Sequence, residues 1–317
     1  MKKYIMLFIL MFFPLTVFAY SRIIPGGETI GIEVQSDGVL VVGFYSIDNI
    51  EIGKKAGFIL GDIIISVGEE RISGLSDMMD SLNKCDSICK IDIIRNGKEK
   101  ELDLPLTYED GRIKTGLYVK DAIHGLGTLS FILENHKFGS LGHEIIESNT
   151  LEKFPVDSGE IYRGEVVNII KSRDGSAGEK NATYDKSRVI GSVEINDSTG
   201  IYGEYLGEIN EDRYIEIGDV SDINVGDAYI RTVIRDAEVE EFSIKIININ
   251  KKDETKNILF EITDDRLLDA TGGVVQGMSG SPIIQNNKMI GVVNYVLVND
   301  PKKGYGIFLT KMLEKIE

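Results

Sequence analysis

The stretch from Val274 to Tyr295, VVQGMSGSPIIQNNKMIGVVNY, places a serine in a tight glycine turn ahead of an apolar strand. Ser279 has Gly277 two residues before it and Gly280 directly after it, and Pro282 leads into the strand. Such a turn exposes a hydroxyl and the neighbouring backbone N–H groups, because no side chain crowds their approach. The same pattern also suits a plain turn between two strands. Whether Ser279 is a nucleophile therefore depends on a base, an orienting acid and a scaffold elsewhere in the chain.

Three histidines could supply the base, and each of them taken alone is more often structural. His143 stands in FGSLGHEI, at a glycine turn just before an apolar strand. His136 follows Glu134 and Asn135 at a predicted hairpin tip, where we expect it to be solvated. His124, in AIHGLGTL, is expected near a domain junction.

Length and composition indicate a globular protein of about two domains, with 317 residues, 42% hydrophobic and 27% charged. Abundant Gly, scarce Pro and many Ile and Val runs predict short strands and turns. The net charge of −16 argues against nucleic-acid binding, and against adhesion of the globular part to an anionic membrane, because phosphates would meet no neutralising patch.

The N-terminus, MKKYIMLFILMFFPLTVFAYS, has the order of an export signal. Lys2 and Lys3 precede an apolar run of about 16 residues, which is marginal for crossing a bilayer. We therefore assign residues 1–20 to a signal peptide or a retained membrane anchor. Cleavage after Ala19 would take the net charge from −16 to −18.

The chain has two cysteines, Cys85 and Cys89, with no histidine nearby to complete a zinc site. Export would permit a disulfide, but a spacing of four on a helix suits one poorly. We expect two buried free thiols.

Residues 21–106 form the first predicted folded unit. A buried strand at Asp62–Val67 is followed by a helix whose apolar face carries Leu75, Met78, Met79 and Leu82. A hairpin then turns at Asn96–Gly97.

The stretch AGFILGDIIISVGEE in this unit resembles bacterial protease-associated PDZ domains. The resemblance implies that PGGETIGIEV (Pro25 to Val34) takes up a peptide, with a glycine loop receiving a carboxylate and a strand edge pairing with the peptide. The candidate peptide-binding residues are Gly27, Ile30, Gly31 and Ile32. Alternatively, the glycines only shape a turn.

A polar linker at residues 107–117 leads into a second unit at 118–317, made of many short strands with regular turn signals. This pattern predicts a mostly β fold, a sandwich or a barrel. Lys171 to Asn181 is predicted to be a solvated loop, and a helical period returns only in the closing FLTKMLEKIE.

The turn GMSGSP is similar to the nucleophile turn of chymotrypsin-like peptidases, which implies a double β-barrel and an oxyanion hole formed by the N–H groups of Gly277 and Ser279. Ser281 is interpreted as a small packing residue.

Over nearly its whole length the chain resembles the stage IV sporulation protein B (SpoIVB) peptidase family. The stretches that carry this resemblance are IIPGGETIGI, GLGTLSFI, FGSLGHEI, RLLDATGGVVQGMSGSPIIQN and VNDPKKGYGI.

The resemblance implies a serine triad of His143, Asp264 and Ser279. An I-T-D match selects Asp264 over its neighbour Asp265, which alternating strand geometry would turn to the opposite face, and over Asp269. Asp264 lies close before Ser279 in sequence, so it would have to reach the histidine from an unusual strand. Its role would be to fix the imidazole tautomer. No metal or organic cofactor is implied.

The resemblance further implies an exported endopeptidase that signals during endospore formation. Such an enzyme acts between the forespore and mother-cell membranes, cleaves itself near the N-terminus, and cleaves a membrane-anchored regulator of intramembrane processing, which activates a late sigma factor. The candidate self-cleavage region is VFAYSRIIPGG. Membrane contact is expected through the N-terminus alone, with no nucleic-acid partner. Two alternatives stay open: a PDZ binding protein with a catalytically silent barrel, and an envelope quality-control protease.

Overall fold

The computed structural model describes residues 20–316. The predicted signal segment lies outside the described residues, apart from its last residue, Tyr20. In the described part of the chain no helix is both long enough and apolar enough to cross a membrane.

Strands dominate the fold, as predicted. In chain order they are β1 (Arg22–Pro25), β2 (Thr29–Phe44), β3 (Ile63–Val67), β4 (Glu70–Arg71), β5 (Ile88–Arg95), β6 (Lys98–Pro105), β7 (Thr107–Glu109), β8 (Arg112–Lys114), β9 (Leu117–Ile132), β10 (Lys137–Ser140), β11 (Ser158–Ile170), β12 (Gly178–Asp197), β13 (Gly200–Tyr205), β14 (Ile215–Ile217), β15 (Gly226–Val233), β16 (Val239–Ile249), β17 (Ile258–Ile262), β18 (Val275–Gln276), β19 (Pro282–Gln285), β20 (Lys288–Val296) and β21 (Lys303–Phe308). The helices are α1 (Ile52–Lys55), α2 (Leu75–Leu82), α3 (Asp265–Thr271) and α4 (Leu309–Leu313), with a 3-10 turn at Glu211–Arg213.

Six antiparallel strands close into a first barrel in the order β2, β9, β10, β13, β12, β11 and back to β2. Its core is aliphatic and aromatic, and includes Ile30, Ile32, Phe138 and Ile161. Closure leaves no strand edge open, which is how a β-protein of this length avoids exposing unpaired backbone.

A second antiparallel barrel closes in the order β15, β16, β17, β21, β20, β19 and back to β15. Its core includes Phe242, Phe260, Ile283 and Phe308. Two closed six-stranded barrels in sequence are the architecture of chymotrypsin-like peptidases, so the predicted fold class is confirmed.

The short strand β1 joins the two barrels. Ile23 pairs with Ile215 of β14, whereas Ile24 pairs with Ile132 of β9. Both isoleucine side chains are buried, and Ile23 belongs to the apolar cluster that lies between the barrels. The chain from Arg22 onward is thus part of the folded peptidase.

The elements predicted for a PDZ domain are present, but they form an insertion within the first barrel. The second half of β2 pairs with β3, and β3, β5 and β6 continue the sheet. Their core contains Val39, Phe58 and Leu82, together with Leu117 at the start of β9. The structure therefore divides the chain differently from the predicted boundaries of 21–106 and 107–117, because residues 22–35 belong to the barrels and Leu117 to the PDZ-like core.

The predicted peptide-binding edge at Gly27, Ile30, Gly31 and Ile32 is wrong. Ile32 pairs with Gly125 of β9 on one side and with Ile161 of β11 on the other, so β2 offers no free edge to a peptide. Ile30 and Ile32 are buried. A buried barrel strand and a groove strand show the same apolar alternation, which is why the sequence pattern could not separate them.

Cys85 and Cys89 form a disulfide, which corrects the expectation of two free thiols. The expectation assumed that both lie on one helix, but α2 ends at Leu82 and Cys89 belongs to β5. Their Cα atoms are 5.5 Å apart, within the usual range for a disulfide.

Two further local expectations can be compared with the structure. The helices predicted at 75–82 and at the C-terminus are present as α2 and α4. The helix α3, directly before the Ser279 turn, was not predicted, and the loop predicted at Lys171 to Asn181 becomes strand β12 from Gly178 onward.

Candidate active site

Ser279 lies in a turn that connects β18 to β19 and that only glycines permit. Gly280 has a φ of +101°, and a Cβ there would lie 2.0 Å from the carbonyl oxygen of Thr128. Gly277 has a φ of +90° and packs against the aliphatic stem of Lys180. A side chain at position 280 would therefore clash with Thr128, and one at position 277 would strain the backbone because of its positive φ.

Thr128 of β9, a strand of the first barrel, holds this turn of the second barrel in place. Its backbone N–H donates to the carbonyl of Ser279 at 3.0 Å, and its hydroxyl donates to the carbonyl of Gly277 at 2.8 Å. From the other side, the N–H of Gly280 donates to the carbonyl of Val293 at 2.8 Å. The position of the Ser279 hydroxyl is thus fixed relative to both barrels.

The N–H groups of Gly277 and Ser279 donate no hydrogen bond to any residue within 20–316. Both belong to the same turn, where the carbonyls of Gly277 and Ser279 are already engaged by Thr128. Two unengaged donors beside a serine hydroxyl can stabilise the oxyanion of an acyl-transfer intermediate.

His143 follows β10 through a tight turn in which Leu141 and Gly142 both have positive φ. Its Nδ1 lies 2.9 Å from the carbonyl oxygen of Glu144, and the ring stacks on Tyr295 with 5.7 Å between the ring centroids. Because a carbonyl oxygen can only accept, Nδ1 carries the proton and Nε2 is left with a free lone pair. Burial lowers the pKa of His143, against the opposing effect of the Glu144 carbonyl, so the ring is neutral at pH 7.

Asn196 anchors the loop that carries His143. Its side-chain oxygen accepts from the N–H of Ile145 at 2.8 Å, and its amide donates to the carbonyls of Ile145 and Phe154 at 3.0 Å. These bonds tie the loop to the end of β12. They fix the backbone two residues beyond the imidazole.

Ser279 and His143 line one cleft of about 490 Å³ between the two barrels. The Ser279 hydroxyl donates to the main-chain carbonyl of Asn294 at 3.2 Å. The aliphatic side chains that line the cleft are Ile32, Ile123, Leu126, Leu141, Ile145, Ile146, Val274, Val275 and Val296. The cleft therefore suits an uncharged stretch of polypeptide.

In the structure the carboxylate of Asp264 is engaged by groups other than His143. Its carboxylate caps α3 by accepting from the N–H of Arg266 at 3.0 Å, pairs with the Arg266 guanidinium at 3.0 Å, and accepts from the N–H of Ser243 at 3.4 Å. Within residues 20–316 no hydrogen bond joins it to His143. Burial raises the pKa of Asp264, but the hydrogen bonds from Arg266 and Ser243 outweigh it, so the pKa lies below its usual value.

The remaining acids and histidines of the sequence analysis lie on the surface. Asp265 and Asp269 are exposed on α3. His136 is exposed at the β9–β10 hairpin, as predicted, and His124 on β9 lies 3.4 Å from a carboxylate oxygen of Glu33. Ser281 is fully buried, in agreement with a packing role. Between residues 20 and 316 no cluster of side chains suited to hold a metal ion is found.

The sequence analysis assigned no role to Thr128, Lys180 or Asn294, which all touch the turn. Asn294 is a polar residue inside the apolar strand β20, and that break in the pattern was an available signal.

Lys180 is fully buried, and its ammonium group donates to the hydroxyl of Thr232 at 2.7 Å. Burial lowers the pKa of Lys180 to about 7. Nothing in the polar stretch around Lys180 distinguishes it from a solvated lysine.

Two closed barrels with a serine turn on one, a neutral histidine on the other and free N–H donors in the cleft between them define a chymotrypsin-like serine peptidase. The SpoIVB peptidase S55 family matches residues 111–313, which is more than half of the chain. The protein belongs to that family, and is a serine endopeptidase that acts on protein substrates.

Solved structures give the following likenesses. The PDZ domain of the SdrC-like protein (Lmo2051) from Listeria monocytogenes shares 20% identity, covers 27% of this chain and 90% of its own, and has a TM-score of 0.23. The active form of the Rv3671c protease from M. tuberculosis shares 13% identity over 61% of this chain and 73% of its own, with a TM-score of 0.34. The inactive form of the same protease shares 11% identity over 60% and 82%, with a TM-score of 0.33. No curated protein matches the sequence.

Replacement of Lys180 by methionine tests the buried ammonium behind the Gly277 turn. The folded-state pKa of about 7 lies below the usual value of 10.5, so above pH 7 the unfolded chain binds a proton that the folded chain lacks. The stability of the wild type should therefore rise with pH between 7 and 10, by up to about 1.4 kcal/mol per pH unit from this group.

Denaturant unfolding from pH 6 to 9 measures this contribution. We expect the Lys180→Met variant to be more stable than the wild type at pH 6, with a difference that shrinks as the pH rises. Lys98→Met, at an exposed lysine, is the matched control and should show a constant difference. A constant difference for Lys180→Met as well would contradict the buried, depressed lysine.

Proposed function

We propose that this protein is a signalling peptidase of endospore formation in which Ser279 is the nucleophile and His143 the general base. The observation that carries the chemistry is the single cleft that holds the Ser279 hydroxyl, the neutral His143 ring and two unengaged backbone donors. Membership of the SpoIVB peptidase family supports the signalling role.

The reaction proceeds in two acyl-transfer steps. The Ser279 oxygen attacks the peptide carbonyl carbon while its proton passes to Nε2 of His143, and the carbonyl oxygen becomes an oxyanion bound by the N–H groups of Gly277 and Ser279. Collapse breaks the C–N bond, and His143 returns the proton to the leaving amine. Water then attacks the acyl-enzyme with the same base, which releases the carboxylate and restores Ser279.

We propose that the enzyme is exported and acts between the forespore and mother-cell membranes, where its N-terminal segment directs or anchors it. Its substrate there is a membrane-anchored regulator of intramembrane proteolysis, whose cleavage activates processing of a late sigma factor. The apolar cleft and the acidic exterior are compatible with capture of an uncharged segment in the aqueous space between the membranes.

Self-cleavage within VFAYSRIIPGG is restricted by the fold. Arg22–Pro25 is strand β1, with Ile23 buried between the barrels and Ile24 buried in the core of the first barrel. A peptidase cleft binds extended, unpaired backbone, so a scissile bond inside β1 would require local unfolding. We therefore place the self-cleavage site on the N-terminal side of Arg22.

Incubation of purified protein, followed by sequencing of the new N-termini, tests the catalytic assignment. The wild type should generate termini upstream of Arg22, whereas Ser279→Ala should generate none, because the alcohol that attacks the carbonyl is gone. Ser281→Ala is the matched control: its hydroxyl is buried and has no partner among residues 20–316, so this variant should still cleave. Cleavage that persists in Ser279→Ala would support a catalytically silent barrel.

The signalling role has its own test in the spore-forming host. Replacement of the chromosomal gene by the Ser279→Ala allele should reduce heat-resistant spores by several orders of magnitude, with processing of the late sigma factor arrested. Normal spore counts together with sensitivity to misfolded envelope proteins would instead favour the quality-control protease.

A further inference from the structure

Lys180 is a buried amine that meets no opposite charge. Its side chain is fully buried, and the hydroxyl of Thr232, at 2.7 Å from Nζ, is its one hydrogen-bond partner in the part of the chain that the structure describes. Burial alone lowers its pKa, with no contribution from a neighbouring charge among residues 20–316. A buried ammonium with a single neutral partner costs stability, so its retention calls for an explanation.

The stem of Lys180 packs against one of the two residues of the proposed oxyanion hole. A Cβ on Gly277 would lie 3.2 Å from the Cβ of Lys180 and 3.4 Å from its Cδ. Nζ is two bonds beyond Cδ, so it lies no more than about 6 Å from that point. A charge at this distance interacts strongly with another charge in the interior of a protein.

The hydrogen bond to Thr232 brings the ammonium beneath the serine turn. Thr232 lies on β15 two residues after Ile230, which pairs with Ile283 of β19, and Ser281 lies two residues before Ile283. Because the two strands are antiparallel, Thr232 stands at the end of β19 where the serine turn leads into it. The side chain of Lys180 therefore runs from Gly277, at the start of the turn, toward the end of the turn.

The backbone that carries Lys180 is fixed to the residues directly before the turn. Strand β12 pairs in parallel with β18, Gly178 with Val275 and Glu179 with Gln276. Lys180 and Gly277 follow the second of these pairs by one residue each. The lysine is thus held beside the turn by its own strand as well as by its buried side chain.

The charged groups on the surrounding elements do not neutralise the ammonium. The titratable side chains nearest to Lys180 in register are His124 of β9, Glu165 of β11, Glu179 and Tyr184 of β12, Tyr229 and Arg231 of β15, and Glu240 of β16. Glu240 pairs across the strands with Thr232, but its carboxylate lies 3.2 Å from the guanidinium of Arg266. Glu165 and Glu179 are exposed. The serine turn and β18 contain no ionisable side chain apart from hydroxyls.

We propose that Lys180 is the positioning residue of the oxyanion hole. Its stem holds Gly277 in the turn, and its ammonium charge stabilises the oxyanion that the N–H groups of Gly277 and Ser279 bind. The negative charge exists only in the transition state and the intermediate, so a positive charge fixed beneath the turn lowers the barrier rather than tightening substrate binding. The proposal rests on the assignment of Ser279 and His143 made above, and it leaves the orientation of His143 by Asp264 untouched.

A charge that assists the reaction has a consequence that a structural lysine lacks. The pKa of Lys180 is about 7, so the assistance is present below pH 7 and is lost as the pH rises through that value. The pKa of His143 lies below its usual value, so deprotonation of His143 cannot cause a loss of activity at alkaline pH. Between pH 6.5 and 9 the reaction of Ser279 should therefore slow by about tenfold.

The second-order rate constant for labelling of Ser279 by a fluorophosphonate, measured from pH 6.5 to 9, tests the proposal. We expect the wild type to lose rate across this range, and Lys180→Met to react about tenfold more slowly at pH 6.5 and to match the wild type at pH 9. Lys180→Arg keeps its charge at every pH and should retain the rate at pH 9. Lys171→Met, at an exposed lysine just after β11, is the matched control and should follow the wild type.

A wild-type rate that stays constant or rises up to pH 9 would overturn the proposal, and this result needs no variant. Equal rates for Lys180→Met and the wild type at pH 6.5 would overturn it as well. If the wild type shows no labelling of Ser279 at any pH, the assignment of the nucleophile itself is wrong. Labelling that depends on neither pH nor Lys180 leaves that assignment intact and refutes the role of the lysine alone.

Discussion

The site depends on the contact between Thr128 and the serine turn. One threonine of the first barrel donates from its backbone N–H and from its hydroxyl to two carbonyls of a turn that belongs to the second barrel. Gly280 lets the two backbones approach, since a Cβ there would lie 2.0 Å from the Thr128 carbonyl oxygen. Because His143 follows strand β10 of the first barrel, this contact fixes the position of the base relative to the nucleophile.

The chemistry follows from a cleft whose walls are mainly aliphatic. The ring of His143 is neutral because burial lowers its pKa, and most side chains that line the cleft are aliphatic. A transition-state oxyanion in such surroundings interacts strongly with fixed donors, so two oriented N–H groups can carry most of its stabilisation. Burial of Lys180, behind Gly277, lowers its pKa to about 7, so the group is about half protonated at pH 7.

Strand alternation and turn spacing predicted a mostly β fold, a sandwich or a barrel, whereas the double barrel, the PDZ domain and the role of the serine turn were predicted from resemblance to known families. The position of strand β2 in the fold could not be predicted from the sequence. The alternating apolar pattern around Ile30 and Ile32 is the same for a strand in a barrel wall as for a strand that borders a peptide groove. The assignment of Asp264 rested on a family motif and stays a prediction, while the structure shows its carboxylate as the N-cap of α3. Asn294 matched no motif, although a polar residue inside the apolar strand β20 was an available signal.

Labelling with a fluorophosphonate probe tests most directly whether the two barrels form one catalytic cleft. Such a probe reacts with a serine only where a base removes its proton and an oxyanion hole receives its oxygen. The account predicts a single adduct, on the peptide that contains Ser279, and its loss when His143 is replaced by alanine. An adduct on another serine, or undiminished labelling of Ser279 without His143, would contradict it.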